Sequence, residues 1–140
     1  MSKVLAIDYG TVRIGLAISD ELRILARPIG IIKQSKTAQQ EILSLIKKES
    51  VQLVIVGLPK NLNGSDSEMT TEVRSFAEKL FTKLDDLKIE HRFHDERLTS
   101  IMAASNILEQ GLSKSKRQQK YRHDEEAARI VLQEFLDSKL

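Results

Sequence analysis

A carboxylate ends the first apolar run, in Val4-Leu5-Ala6-Ile7-Asp8-Tyr9-Gly10-Thr11-Val12-Arg13-Ile14-Gly15-Leu16-Ala17. Val4 to Ile7 reads as a buried strand, and such strands seldom carry an acid unless it is paired, bound to metal or close to the strand end. Gly10 allows a tight turn, and Ile14, Leu16 and Ile18 alternate with smaller or polar neighbours, so a second strand folds back antiparallel to the first. This arrangement holds Asp8 at the mouth of a sheet, where a metal or a phosphate can reach it.

The remaining pattern predicts the elements that build on this hairpin. Val4 to Asp8, Arg13 to Ser19 and Ala26 to Lys33 read as a three-stranded meander. Thr37 to Glu49 sets Ile42, Leu45 and Ile46 on one helical face, and Leu53 to Val56 reads as a buried strand that exits at Gly57-Leu58-Pro59. Ser65 and Glu68 have the spacing of a capping box, ahead of a helix with Met69, Val73, Phe76, Leu80 and Leu84 on its apolar face. A strand over Ile89 to His94 leads into Asp95-Glu96-Arg97-Leu98-Thr99-Ser100. Thr99 is placed to cap a helix carrying Ala103, Ile107 and Leu108, with Gly111 at its end. After a polar, basic stretch, Glu125 to Leu136 forms a last amphipathic helix. The order βββαβαβα implies an α/β fold, a mixed five-stranded sheet flanked by helices.

Composition limits what this fold can do. With 140 residues, 41% of them hydrophobic, residues 1–140 suit a single domain that needs no disulfide. The absence of cysteine excludes thiolate chemistry and sulfur-based zinc sites, and agrees with a reducing compartment. No apolar stretch approaches the roughly 20 residues of a membrane helix and the N-terminus runs straight into a strand, so the expectation is a cytoplasmic protein without a membrane partner. A net charge of +2 announces no polyanion partner by itself, so the distribution of charge has to carry that argument.

Acidic residues fall where ligands bind in such sheets: Asp8 after the first strand, Asp95-Glu96 after the fifth and Asp124 at the start of the last helix. Three carboxylates brought together repel, so they share protons or hold a divalent cation. Oxygen-only ligands suit Mg2+ or Mn2+, and such ions support phosphodiester hydrolysis. The constellation points to a metal-dependent nuclease. Simpler readings exist for each acid: Asp8 satisfying turn amides, Asp95-Glu96 as a charged turn, Asp124 as a helix N-cap.

Four ordered motifs together resemble the YqgF/RuvX family: Asp8-x-Gly10-x-x-Arg13-x-Gly15-x-Ala17; Gly57-Leu58-Pro59 with Asn61 and Gly64; Asp95-Glu96-Arg97-Leu98-Thr99-Ser100; and Asp124-x-x-Ala127-Ala128 with Leu132-Gln133. The resemblance spans almost the whole chain. It implies an RNase H-like fold and a nuclease that processes the 5′ end of pre-16S rRNA in ribosome biogenesis, or a Holliday junction resolvase. By the same resemblance Asp8, Glu96 and Asp124 are the catalytic metal-binding acids, with Asp95 as the substitute for Glu96. Arg13 and Arg97 then hold phosphate or fix carboxylates, a role suited to the planar guanidinium. His123, Lys60 and Asn63 depart from the family pattern without removing a ligand.

Lys114, Lys116, Arg117, Lys120 and Arg122 lie just before Asp124, and Glu109 is the only acid between Thr99 and His123. This strip is the candidate for holding a nucleic-acid backbone, whether precursor rRNA or branched DNA, against the plainer reading of a solvated mobile loop. Tyr121 could stack on a base. His91 and His94, three apart on a strand, point to opposite faces and make a poor metal pair. Two rivals remain open. Asp8-x-Gly10-Thr11 also resembles the first phosphate motif of actin-like ATPases, but those bind ATP between two domains. A non-catalytic RNA-binding module is the other. Junction resolution would require a two-fold homodimer, since it cuts two strands symmetrically.

Overall fold

Strand β1 (Lys3–Asp8) is the centre from which the sheet grows in both directions. On one side it pairs antiparallel with β2 (Arg13–Ser19), which pairs antiparallel with β3 (Ala26–Lys33). On the other it pairs parallel with β4 (Val51–Leu58), and β4 pairs parallel with β5 (Glu90–Asp95), giving the order β3-β2-β1-β4-β5. Helices α1 (Ala38–Lys48), α2 (Glu68–Asp86) and α3 (Lys114–Asp137) complete the described elements. The computed structural model describes residues 2–96 and 114–138, with side chains for 2–96 and 126–138. The helix expected over Thr99 to Gly111 lies outside these residues.

Side chains alternate across each strand, so every strand divides its residues between two layers. Leu5 and Ile7 of β1, Ile14, Leu16 and Ile18 of β2, and Val54, Val56 and Leu58 of β4 pack with Ile42 and Ile46 of α1 and with Val73, Ala77, Leu80 and Leu84 of α2. Val4 and Ala6, Ala17, Leu53 and Ile55 face the other way, onto Ala127, Ala128, Val131, Leu132 and Phe135 of α3. The two small residues at 127 and 128 let the helix backbone come close to the sheet. At about 25 cal/mol per Å² of apolar surface, each fully buried leucine or isoleucine here contributes about 1.5–3 kcal/mol before conformational entropy is counted.

Polar clasps fix the corners. The Gln133 amide of α3 accepts from Ala26 N at 2.9 Å and donates to Ile24 O at 2.9 Å, fastening the β2–β3 hairpin to the helix. In β3 the pairing to β2 shifts between Leu16 and Ala17, opposite Gly30 and Pro28, and Gly30 takes a positive φ of 139°. That bulge bends the outermost strand.

Two expectations are corrected. The box that starts α2 is formed by Ser67 and Thr70, not by Ser65 and Glu68: Ser67 Oγ accepts from Thr70 N at 3.2 Å, and Ser67 N donates to Thr70 Oγ1 at 2.9 Å. Ser65 is already committed to the preceding loop, where its N and Oγ both donate to Asn63 Oδ1, at 2.9 and 2.6 Å. The last helix starts at Lys114, well before Glu125. Lys, Arg and Gln are strong helix formers and no Gly or Pro interrupts the stretch. It lacks an apolar stripe, so periodicity does not mark it as helical. The basic strip is therefore helical backbone rather than a loop, and Asp124 lies inside α3 rather than at its N-cap.

Replacing Ser67 with Ala is expected to cost about 1 kcal/mol in urea unfolding. Ser65→Ala should leave the helix start intact, and equal losses in the two variants would contradict the assignment of the cap.

Candidate active site

Parallel β1, β4 and β5 all end on one edge of the sheet, and the site forms there. Asp8 is the last residue of β1, two positions beyond Ala6, and so belongs to the face covered by α3. The register Ile7–Val56, carried one residue on, brings Asp8 alongside Gly57 of β4. Glu96 follows directly after β5 and is buried, with 5% of its surface exposed. Its carboxyl makes a side-chain hydrogen bond with Asp8.

Gly57 makes this meeting sterically feasible. A Cβ at position 57 would overlap the Glu96 carboxyl group, meeting Oε1 and Cδ within van der Waals distance. Burial pushes the Glu96 carboxyl above the usual carboxylate range; the hydrogen bond with Asp8 pulls the other way, and the negative charges of Glu134 and Asp95 add to the rise. Two carboxyls joined by a hydrogen bond need a proton between them. A divalent cation can take the place of that proton, so the pair fits a metal site in its donor chemistry. Among the described residues no group of three or more acids, histidines or cysteines gathers around a common point.

The neighbours of this pair are partly unexpected. Asp95 pairs in register with Leu58 and lies two positions beyond Phe93, whose ring packs on Phe81 of α2, so it belongs to the opposite face from Glu96. His94, in register with Gly57, approaches Glu134 of α3 at 3.4 Å. Nothing in the sequence marks Glu134, which lies 40 residues from His94 and on another element. Arg13 is half-buried on β2, in register with Lys33, and the two line a cleft with Val12 and Ile31. Arg97 lies outside the described residues. Asp124 occupies α3 one turn before Ala127 and Ala128, and Lys114, Lys116, Arg117, Lys120 and Arg122 occupy the turns before it. On the far face Tyr9 packs on Phe76 with ring centroids 5.0 Å apart. Burial and the Glu72 carboxylate raise the Tyr9 pKa, so its hydroxyl keeps its proton at neutral pH.

The turn between β1 and β2 is tightly packed. A Cβ at Gly10 would collide with the Arg13 carbonyl oxygen, and Gln34 Nε2 donates to Gly10 O at 2.7 Å.

The family described as RuvX, Holliday junction resolvase, matches residues 2–138. The chain belongs to that family. Curated relatives of this RuvX chain run its full length under the name "Putative pre-16S rRNA nuclease". One from Bacteroides fragilis is 39% identical over 139 residues, 99% of each chain. One from Phocaeicola vulgatus is 40% identical over 139 residues, 99% of this chain and 98% of the relative. One from Flavobacterium psychrophilum is 39% identical over 140 residues, covering both chains completely. Among solved structures, Thermus thermophilus RuvC in complex with a Holliday junction superimposes with a TM-score of 0.60 at 14% identity, covering 99% of this chain and 96% of that one. Fowlpox virus resolvase with its junction DNA superimposes at 0.53 and 12% identity, covering 99% of each. At those identities the likeness shows the fold, which is the RNase H-like α/β fold. The names of the family and of its relatives indicate a nuclease, a hydrolase of phosphodiester bonds.

A carboxyl whose folded pKa lies above its unfolded value favours the folded state at low pH. That contribution is lost as pH rises from the unfolded value through the raised one. In EDTA, wild-type melting temperature should therefore fall relative to Glu96→Gln as pH goes from 5 to 8. Parallel profiles would remove the buried carboxyl from the account. Gly57→Ala should destabilise the wild type by about 1–3 kcal/mol, the usual cost of overpacking, and much less in a Glu96→Ala background.

Proposed function

We propose that residues 1–140 form a single nuclease domain that hydrolyses phosphodiester bonds in structured nucleic acid, with the 5′ end of pre-16S rRNA as its first substrate. The observation that carries this reading is the hydrogen-bonded pair Asp8 and Glu96 at the shared end of β1, β4 and β5. The family match and the names of the full-length relatives supply the reaction class and the rRNA substrate.

In this reading Asp8, Glu96 and Asp124 hold Mg2+ or Mn2+, with Glu96 preferred to Asp95 because Glu96 is the one that meets Asp8. A bound divalent cation would polarise the scissile phosphate and make water a stronger nucleophile near neutral pH. The chain's own groups do the rest. Gly57 leaves room for the Glu96 carboxyl beside Asp8, and the contact between Glu134 and His94 ties α3 to the end of β5. Arg13 and Lys33 present positive charge on the flank of β2, where a phosphate one or two nucleotides from the cut would pass. Arg97 is a second candidate for a phosphate contact. Lys114, Lys116, Arg117, Lys120 and Arg122 form a run of cations on the first turns of α3, and in this reading they grip the backbone without reading sequence. The described residues include no helix long and apolar enough to cross a membrane. A cytoplasmic enzyme acting on ribosome precursors accords with that.

The test is cleavage of a labelled pre-16S fragment and of a four-way DNA junction, side by side, with Mg2+ or Mn2+. The expected result is RNA-selective cutting that needs the metal and falls at least about 100-fold in Asp8→Asn, a loss equivalent to about 3 kcal/mol of transition-state stabilisation. Junction-selective cutting by a dimer would move the assignment to resolution. Folded wild-type protein that cuts neither substrate would leave an RNA-binding module.

A further inference from the structure

Directly beyond Asp8 the chain builds a second feature that the acidic pair does not use. Asp8 and Tyr9 are consecutive and so face opposite sides of the sheet edge, about 3.3 Å apart along the chain. On the Tyr9 side lies a cleft of about 290 Å³ between the start of α1 and the middle of α2. Tyr9 and Phe76 form its aromatic floor, with ring planes inclined at 48°. Its walls are fixed by hydrogen bonds: Gln34 Nε2 donates to Gly10 O at 2.7 Å, Gln39 Nε2 donates to Phe76 O at 3.0 Å, and Lys83 Nζ donates to Gln39 Oε1 at 3.4 Å. Glu72 and Lys79 stand exposed on the rim.

We propose that this cleft receives one unstacked nucleobase of the substrate, from a nucleotide next to the phosphate held at Asp8. The inference rests on the nuclease reading for its ligand class and extends it to a second subsite. Aromatic floors with amide and carboxylate edges are how single-stranded bases are held, by stacking and by hydrogen bonds to their polar edges. The Glu72 carboxylate accepts hydrogen bonds from the exocyclic amino groups of adenine, cytosine or guanine, and Lys79 across the same rim offsets its charge and can donate to a base carbonyl or ring nitrogen. The aromatic floor thus separates base from backbone: phosphate on the α3 face beside Arg13 and Lys33, base on the α1–α2 face against Tyr9. A nucleotide bound this way straddles the edge of β1. The cut then requires a strand whose bases can leave their stack, as at a single-stranded precursor end.

The experiment is binding in EDTA of single-stranded RNA hexamers of each base, and of the abasic backbone of the same length, to wild type, Tyr9→Phe, Tyr9→Leu and Glu72→Gln. The abasic strand should bind wild type and Tyr9→Phe roughly 10-fold more weakly than the best base, the usual worth of one stacked base. Tyr9→Leu should lose most of that difference. Glu72→Gln, a change at an exposed position that should not disturb folding, should shift the preference away from amino-bearing bases toward uracil. An abasic penalty that is absent, or unchanged in Tyr9→Leu, together with an unaltered base preference in Glu72→Gln, would overturn the proposal. Cleavage assayed in parallel keeps the two readings apart. Base coupling without cleavage would sink the nuclease and keep the base site, while cleavage without base coupling would do the reverse.

Discussion

Everything at the site follows from three strands running the same way. Because β1, β4 and β5 are parallel, their carboxyl ends reach one edge together, and residues far apart in sequence, 8, 57 and 96, arrive within side-chain reach. Had β4 run antiparallel to β1, Gly57 and Asp8 would lie at opposite ends of the sheet. Parallel pairing in turn depends on helical crossovers; α1 and α2 cover one face and the C-terminal α3 covers the other, which explains the apolar runs of β1 and β4. The alternation of side chains then decides which residues of that edge belong to α3 and which to α1 and α2.

The acidic pair is a local expense that the surroundings accommodate. A buried carboxylate would repel a second one beside it, and Glu134 and Asp95 add to the repulsion felt by Glu96. The fold answers with space at Gly57 and a shared hydrogen bond with Asp8. It anchors the helix above through Gln133 and the small residues Ala127 and Ala128. The pair is thus assembled where burial and neighbouring carboxylates both oppose charge on Glu96.

Legibility in the sequence followed the range of the interactions involved. The three meander strands fall where the sequence places them, with β1 starting one residue earlier at Lys3, because apolar runs and turn chemistry are local properties. Which of Asp95 and Glu96 meets Asp8 is not a local property of the sequence. It depends on the β4–β5 register, which sets Leu58 against Asp95 and leaves the next residue on the α3 face. At the start of α2, Ser65 and Ser67 are equally good caps by sequence until the loop claims the first. The first half of α3 carries no periodic signal: it is a good helix former with no apolar stripe. Glu134 and the cleft beside Tyr9 gave no signal, because each arises only when separate elements meet.

The kink in β3 has a further consequence, for the company the chain keeps. As the outermost strand, β3 exposes backbone groups that another sheet could pair with. Pro28 has no N–H to offer, and the break in register at Gly30 spoils any straight run of partners. The opposite margin, β5, carries the exposed ion pair Glu90 and Arg92 at 3.7 Å, with the Arg92 guanidinium over the Phe135 ring of α3. Among the described residues neither margin offers a long, uncharged strand for another sheet to extend, which keeps the five-stranded sheet from growing edge to edge.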